Sequence, residues 1–194
     1  MNSTDKDKIS FEEFESFENL YDWLAKNHDK HTEQWIRIYK KASKIKSVTW
    51  EDVVLAVLCW GWIDGKRMSY DDKSFLQRIT PRKEKSIWSK RNCENVADLE
   101  KRGLMRQPGI RHVELAKNDG RWDKAYLPES EMEIPDDFIA EVRKDPDASE
   151  FFDTLTKPTK FLIAFALETA KKEETRTRRF NKYLDMIKRK EKPR

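Results

Sequence analysis

The chain has 194 residues, of which 39% are charged and 37% hydrophobic, and its formal net charge is +4. This length suits one compact domain and excludes a large multi-domain enzyme. Aromatic residues make up 11% and include seven tryptophans. Side chains of this kind are normally buried, so the composition excludes a chain that is disordered throughout.

Targeting and cofactor signals are absent from the sequence. No segment approaches the roughly 20 apolar residues that a membrane span requires, and the N-terminus, MNSTDKDKIS, has no apolar signal-peptide core. We therefore expect a cytoplasmic protein without a membrane span. Cys59 and Cys93 are expected to be free thiols in that reducing compartment, and the three histidines form no ligand pair, so we expect no metal site and no cofactor.

The first part of the chain is expected to alternate strands and helices. Residues 1–8 form a polar tail that we expect to be disordered, and a short strand is expected within residues 9–14. Apolar residues at helical spacing predict a helix that begins near Ser16. Alternating β-branched and aromatic residues over 34–41 predict a strand.

The next two elements have clear local signals. Thr49, with Asp52 three residues later, matches a capping box and predicts a second helix that ends before Gly61. Two alternating segments within residues 62–80, joined at an Asp-Asp turn, predict a β-hairpin that ends at Pro81. A small mixed or antiparallel sheet with packed helices follows from these elements.

After Pro81 the sequence predicts helices only. Proline at or near a first helical turn marks helix starts at Pro108, Pro135 and Pro146. Residues 161–170 are apolar nearly all round, which is typical of a buried helix, and an amphipathic helix follows over about 174–190. We therefore predict a single α+β domain over 9–194, with an α+β part over 9–81 and an all-helical part over 82–194.

Positive charge is concentrated at the C-terminus. Residues 171–194 carry eleven Lys or Arg against four Asp or Glu, a net +7, whereas the preceding 170 residues have a net charge of −3. One hypothesis is a nucleic-acid-binding module that makes weak, salt-sensitive phosphate contacts. The alternative is a solvated helix whose cations favour the helix dipole. The candidate phosphate-binding residues are Arg176, Arg178, Arg179, Lys182, Lys188, Arg189 and Lys190.

Three segments resemble a known family. They are CWGWIDG at Cys59–Gly65, TPRKEKSIWSKRN at Thr80–Asn92, and ETRTRRFNKYLDMI at Glu174–Ile187. Together they resemble the bacteriocin-protection, YdeI/OmpD-associated family over almost the whole chain. The resemblance implies a role in resistance to antimicrobial peptides or bacteriocins, and it implies no defined reaction or ligand.

The first two of these segments also suggest an anion site. Free amides and serine hydroxyls at a helix N-terminus, with an arginine beside them, can hold a small anion, and tryptophans can wall a ring-bearing ligand. In the structural alternative the tryptophans are core, a serine is only a helix cap, and Asp64 and Arg82 form an ion pair. The candidate ligand-binding residues are Trp62, Asp64, Arg82, Ser86, Trp88, Ser89 and Asn92.

Signals for catalysis are weaker than those for binding. The sequence contains no glycine-rich phosphate loop and no nucleophile elbow. Cys59 lies between Leu58 and Trp60, an apolar setting that favours an inert thiol. An enzyme built on Asp64 and Arg82 is kept as an alternative, and a protein that binds rather than catalyses is the main expectation. The sequence leaves the oligomeric state open.

Overall fold

The computed structural model describes residues 9–193, and the tail predicted over residues 1–8 lies outside them. The described chain is α+β, as predicted, with its strands in the N-terminal half and most of its helices in the C-terminal half. The elements in chain order are β1 (Glu12–Glu13), α1 (Phe17–Asn27), β2 (Gln34–Tyr39), a 3-10 turn (Lys41–Ser43), α2 (Trp50–Cys59), β3 (Trp62–Ser69), β4 (Ser74–Pro81), α3 (Lys90–Lys101), α4 (Gln107–Asn118), α5 (Asp136–Val142), α6 (Pro146–Asp153), α7 (Lys157–Glu168) and α8 (Glu173–Lys188).

The four strands form one mixed sheet in the order β1-β2-β4-β3. β1 runs parallel to β2, whereas β2 and β4 pair antiparallel. β3 and β4 form the predicted hairpin, in which Asp64 lies opposite Ile79 and the register shifts between Asp64 and Arg67. The hairpin brings the start of β3 next to Pro81, where β4 ends.

Local capping explains where several helices begin. The Ser16 hydroxyl accepts a hydrogen bond from the amide of Asn19 at the start of α1, and Thr49 and Asp52 form the predicted capping box at the start of α2. The Asp145 side chain accepts from two amides of the first turn of α6. These side chains satisfy amides that a helix leaves without an intrahelical partner.

The chain divides into two compact units. The first contains the residues up to Trp88 together with Asn92–Lys124, and the second contains Ser89–Arg91 and the residues from Ala125 onward. The expectation of a single domain over residues 9–194, with an internal boundary at residue 81, stays a prediction.

The core of the first unit lies between the sheet and helices α1 and α2. Leu20 and Leu24 on α1 are fully buried against strand residues, and Val53 and Val57 on α2 join them. The core also includes Trp62 of β3. Burying such side chains contributes most of the favourable free energy of folding.

The core of the second unit is formed by helices α5 to α8. It includes Phe138 of α5, Phe152 of α6 and Ile187 of α8, together with the inner face of α7. The helix predicted to be buried over residues 161–170 is only partly buried: Ile163, Ala164 and Leu167 are buried, whereas Phe161 and Phe165 of α7 are half-buried. Hydropathy alone does not reveal this, since partly exposed aromatic rings are common in proteins. No helix among residues 9–193 is long and apolar enough to cross a membrane.

Candidate functional site

Arg82 follows directly after strand β4, and its backbone is tied to the junction between α2 and β3. The Arg82 amide donates to the carbonyl oxygen of Gly61 at 2.9 Å. Gly61 has a φ of +70°, and a Cβ there would lie 2.6 Å from the carbonyl oxygen of Pro108 and 3.0 Å from the His112 ring. A glycine is therefore required at this position, and it lets α4 approach the backbone that holds Arg82.

The Arg82 side chain is buried, with only 4% of the residue exposed. Its guanidinium carbon lies 3.9 Å from the centroid of the Trp88 ring, and its Nη1 donates to the Ile87 carbonyl oxygen at 3.1 Å. A cation held over an indole in a desolvated setting gains about 2 kcal/mol. The side chains of Arg82 and Trp88 are therefore held together at the end of the hairpin.

Trp88 is the second member of the site and is 2% exposed. Its ring centroid lies 5.0 Å from that of Trp122, and the Lys117 amine lies 5.1 Å from the Trp122 ring. The buried Trp88 Nε1 has no hydrogen-bond acceptor among residues 9–193. A buried donor without an acceptor costs about 1–3 kcal/mol, so it indicates a place where a water or ligand acceptor is favoured.

Arg121 fixes the loop that leads from Arg82 to Trp88. Its Nη1 donates to the Ser86 carbonyl oxygen at 2.6 Å, and its Nε pairs with Asp119 at 2.7 Å. Ser86 thus contributes its backbone carbonyl, whereas its hydroxyl was the predicted contact. Because α3 begins at Lys90, Ser89 and not Ser86 occupies the position before the helix.

The groups around Arg82 make a positive environment for His112. Burial lowers the pKa of His112, and the charges of Arg82, Arg111 and Arg121 lower it further, while Glu84 opposes them. At neutral pH the imidazole is therefore neutral. An anion placed near this histidine would be attracted by the same charges that disfavour the imidazolium.

The two thiols are both poor nucleophiles at neutral pH. Burial raises the pKa of Cys93 to about 11, although the charges of Arg82 and Lys117 oppose this effect. Burial likewise raises the pKa of Cys59 to about 12. Since the thiolate is the reactive form, neither cysteine is activated in this environment.

Two predicted site residues have other partners. Trp62 is buried in the core of the first unit, and its Nε1 donates to the His28 carbonyl oxygen at 3.1 Å. The Asp64 carboxylate accepts from Trp50 Nε1 at 3.2 Å. Asp64 therefore reaches the first residue of α2, and no hydrogen bond or ion pair with Arg82 is found for it within residues 9–193.

The last two predicted ligand residues lie on either side of the α3 start. Ser89 belongs to the second unit, where it forms an isolated bridge with Tyr126. Asn92 belongs to the first unit and is half-buried on α3. The structure thus brings together Arg82, Ser86 and Trp88 out of the seven predicted residues.

Four further groups at this place were not predicted from the sequence as site residues. They lie on or just after α4, 30 to 40 residues from Arg82 along the chain, and no motif links them to it. These residues are His112, Lys117, Arg121 and Trp122.

The basic C-terminal segment, which is α8 and the two residues after it, uses several of its cations within the second unit. Arg176 pairs with Asp137 at 2.8 Å, and Lys190 pairs with Asp147 at 2.9 Å. Arg179 Nη1 donates to a carbonyl oxygen of α7 at 2.6 Å. These three contacts stabilise the second unit itself.

The remaining predicted phosphate-binding cations are exposed. Arg189 lies 3.4 Å from Glu191, and the Lys182 amine lies 5.4 Å from the Tyr183 ring. Arg178 and Lys188 project from the exposed face of the same helix. Of the seven predicted cations, Arg176 and Arg179 are partly buried and the other five are exposed.

The described part of the chain contains no cluster of three or more His, Cys, Asp or Glu side chains that could hold a metal ion. The candidate site is therefore one of cations, indole rings and hydrogen-bond donors. Such a site can bind and orient an anion.

Comparison with known proteins gives two family matches. Residues 131–190 match the model of the family described as bacteriocin-protection, YdeI or OmpD-associated, which confirms the resemblance noted for Glu174–Ile187. The segments CWGWIDG and TPRKEKSIWSKRN lie outside that match. No significant match is found to a curated protein or to a solved structure. A second family model, described as a domain of unknown function (DUF8412), matches residues 12–112, and the chain belongs to that family.

Proposed function

We propose that the first unit binds a small anion beside Arg82 and Trp88. The observation that carries this proposal is the buried indole N–H of Trp88, which has no acceptor among residues 9–193 and lies next to a guanidinium. An anion would accept from this N–H and would also be attracted by the cations around it. Both interactions are stronger in a desolvated setting than in water.

Burial limits the size of the ligand. Arg82 and Trp88 are both more than nine-tenths buried, so a bulky ligand cannot surround them without displacing the loop that precedes Trp88. An inorganic anion such as phosphate, or a single carboxylate group, is the chemistry that fits. Trp62 is a core residue and therefore supplies no wall to this site.

The environment of His112 predicts how pH would affect this binding. Positive charges contribute to its lowered pKa, so a bound anion would offset them and raise that pKa toward its ordinary value. A carboxylate ligand, which stays ionised at mildly acidic pH, would therefore bind more tightly there than at alkaline pH, because protonation of His112 and anion binding favour each other.

The family name supports a physiological role. The family matched at residues 131–190 is described as bacteriocin-protection, and we propose that this protein contributes to resistance against bacteriocins or antimicrobial peptides. A strain that lacks the chain should then be more sensitive to a cationic peptide. Complementation with the wild type should restore resistance, and unchanged sensitivity of the deletion strain would contradict the role.

Thermal unfolding with added ligands tests the anion site. A ligand that prefers the folded state raises the unfolding midpoint by mass action. We expect inorganic phosphate or acetate to raise the midpoint of the wild type and not that of Trp88→Phe, which keeps a ring and loses the N–H donor.

Trp60→Phe is the matched control. The Trp60 indole N–H is also buried without an acceptor among residues 9–193, but its ring lies against Tyr21 and His28. The phosphate effect should persist in this variant. An equal effect in wild type and Trp88→Phe, or no effect in the wild type, would contradict the proposed site.

A second candidate function is weak binding of nucleic acid by α8. The exposure of Arg178, Lys182 and Lys188 supports it, and the ion pairs of Arg176 and Lys190 weaken it. Short duplex DNA should bind at low salt, lose affinity steeply as salt rises, and bind less to a variant with these three exposed residues changed to alanine. Salt-insensitive binding would contradict phosphate contacts of this kind.

A further inference from the structure

The two exposed large hydrophobic residues of the described chain lie close together in the sequence. Ile45 is 46% exposed and Trp50 is 37% exposed. Ile45 lies in the segment that connects β2 to α2, and Trp50 is the first residue of α2. We call residues 40–50 the lysine loop. Apolar side chains exposed among lysines favour a partner surface that offers both anionic and apolar groups.

Lysines surround Ile45 in this loop. The sequence over 40–46 is KKASKIK, which contains four lysines and no acidic residue, and Lys41, Lys44 and Lys46 are exposed. Lys46 lies 3.5 Å from Glu15, but both side chains are about three-quarters exposed, at 75% and 73%. A pair this exposed is weak and leaves the lysine able to contact another anion.

The loop is anchored so that Ile45 is displayed to solvent. At its start, the Lys40 amine donates to the Asp72 carbonyl oxygen at 2.9 Å. Near its end, Val48 is buried, and its amide donates to the Phe14 carbonyl oxygen at 2.8 Å. Between these anchors, Lys44 has a φ of +59°, a left-handed conformation that lysine rarely adopts.

Trp50 combines an apolar face with a satisfied polar group. Its indole Nε1 donates to Asp64 at 3.2 Å, while the residue remains more than one-third exposed. Tryptophan favours the region between water and hydrocarbon, where its ring is partly buried and its N–H is hydrogen-bonded.

We propose that the lysine loop docks on the surface of an anionic lipid bilayer. Lys41, Lys44 and Lys46 contact the lipid phosphates, and Ile45 and Trp50 enter the headgroup region. Basic residues with interleaved apolar side chains bind such surfaces by combining electrostatic attraction with apolar burial.

Nucleic acid fits this surface less well than a bilayer does. The lysines would serve either partner, but an isoleucine cannot stack on a base or hydrogen-bond to a phosphate. Ile45 gains from leaving water only if the partner offers an apolar region. The exposure of Ile45 therefore favours the bilayer.

Co-sedimentation with lipid vesicles tests this proposal. The full chain should bind vesicles of phosphatidylcholine and phosphatidylglycerol and bind pure phosphatidylcholine vesicles much less. The double variant Lys41→Ala with Lys44→Ala should weaken binding by about 30-fold, from the energy that each lysine contributes near an anionic surface. Ile45→Ser should weaken it by about tenfold, because the side chain no longer gains from apolar burial.

A matched control comes from exposed lysines elsewhere in the first unit. Lys26 and Lys30 are exposed, and changing both to alanine removes the same charge while leaving the loop unchanged. Binding should then fall less than twofold. Trp88→Phe should also bind vesicles as the wild type does, so the loop and the proposed anion site can be tested separately.

Three outcomes would overturn the proposal. The first is no binding to anionic vesicles, and the second is equal loss in the control and loop variants. The third is tighter binding to duplex DNA than to vesicles, reduced by the lysine changes but not by Ile45→Ser. That last result would assign the loop to nucleic acid instead.

Discussion

The two units of the chain differ in how deeply their cations are buried. In the first unit, Arg82 lies buried over Trp88, and Lys117 lies over Trp122. In the second unit, Arg176 and Lys190 pair with aspartates at the surface. The sequence has its highest density of positive charge in the second unit, yet the cation with the strongest desolvation is in the first. Burial, and not the number of basic residues, distinguishes the two regions.

This difference matters for binding. A surface ion pair is screened by water and salt and typically contributes less than about 1 kcal/mol. A buried cation over an indole is screened much less, so it interacts strongly with any anion that reaches it. We therefore expect mutations of the two kinds of cation to differ in size and in salt dependence.

The largest loss of stability should come from substitution of Gly109, a buried residue of α4 in the first unit. A Cβ at Gly109 would lie 2.5 Å from the carbonyl oxygens of both Leu58 and Cys59. Because these are backbone atoms, they cannot move aside easily, and Gly109→Ala should lower the free energy of unfolding by about 3 kcal/mol. Chemical denaturation measures this change.

Gly103→Ala provides the matched control. Gly103 also lies in the first unit and has a φ of +67°, but no atom lies within 4 Å of its added Cβ. Its cost should be about 1 kcal/mol, from the left-handed backbone alone. Equal effects of the two substitutions would contradict the close approach of α2 and α4 at Gly109.

Arg82→Ala should have the next largest effect. The substitution removes the contact with the Trp88 ring and a donor to the Ile87 carbonyl oxygen, and we expect a loss of about 2–3 kcal/mol together with loss of the phosphate effect on the unfolding midpoint. Arg82→Lys keeps the charge and should retain part of that effect. If Arg82→Ala lowers stability but leaves the phosphate effect unchanged, Arg82 is structural only.

The pH dependence of stability should show the positive environment of His112. Its pKa in the folded protein is lowered from 6.5, so below pH 6.5 the unfolded chain binds a proton more readily than the folded one. Stability is therefore fully present above about pH 6.5 and falls as the pH drops below it. Thermal unfolding at pH 8 and pH 5 measures this, and His112→Gln should reduce the difference. An unchanged pH dependence in that variant would assign the effect to other groups.

The smallest effect should come from Arg176. Its pair with Asp137 is at the surface, so Arg176→Ala should lower the free energy of unfolding by less than about 1 kcal/mol. The difference from wild type should shrink further in 0.5 M NaCl, because salt screens exposed charges and the Debye length is then only about 4 Å. A loss as large as that of Arg82→Ala, unaffected by salt, would contradict the contrast between the units.

Local signals made much of the fold predictable. Ser16 and Thr49 act on amides three residues away, and the hairpin that ends at Pro81 depends on neighbouring segments. Such short-range features can be read from a sequence because the interacting residues are close along the chain.

The candidate site was less predictable because its contacts are distant along the chain. Arg82 and Trp88 can be identified from the sequence, whereas Trp122 and His112 lie near them because α4 packs against the Gly61 junction. Trp62 was predicted to line the site but lies in the core. Its position in the sequence does not distinguish a core side chain from one that lines a ligand site. Only the tertiary contacts separate these two cases.

The most direct measurement is a phosphate titration followed through the indole N–H signals of the seven tryptophans by nuclear magnetic resonance. Trp88→Phe and Trp60→Phe identify the two signals of interest. The proposed site predicts a saturable shift of the Trp88 signal while the Trp60 signal stays in place. No shift at Trp88, or an equal shift of both signals, would contradict binding of an anion beside Arg82.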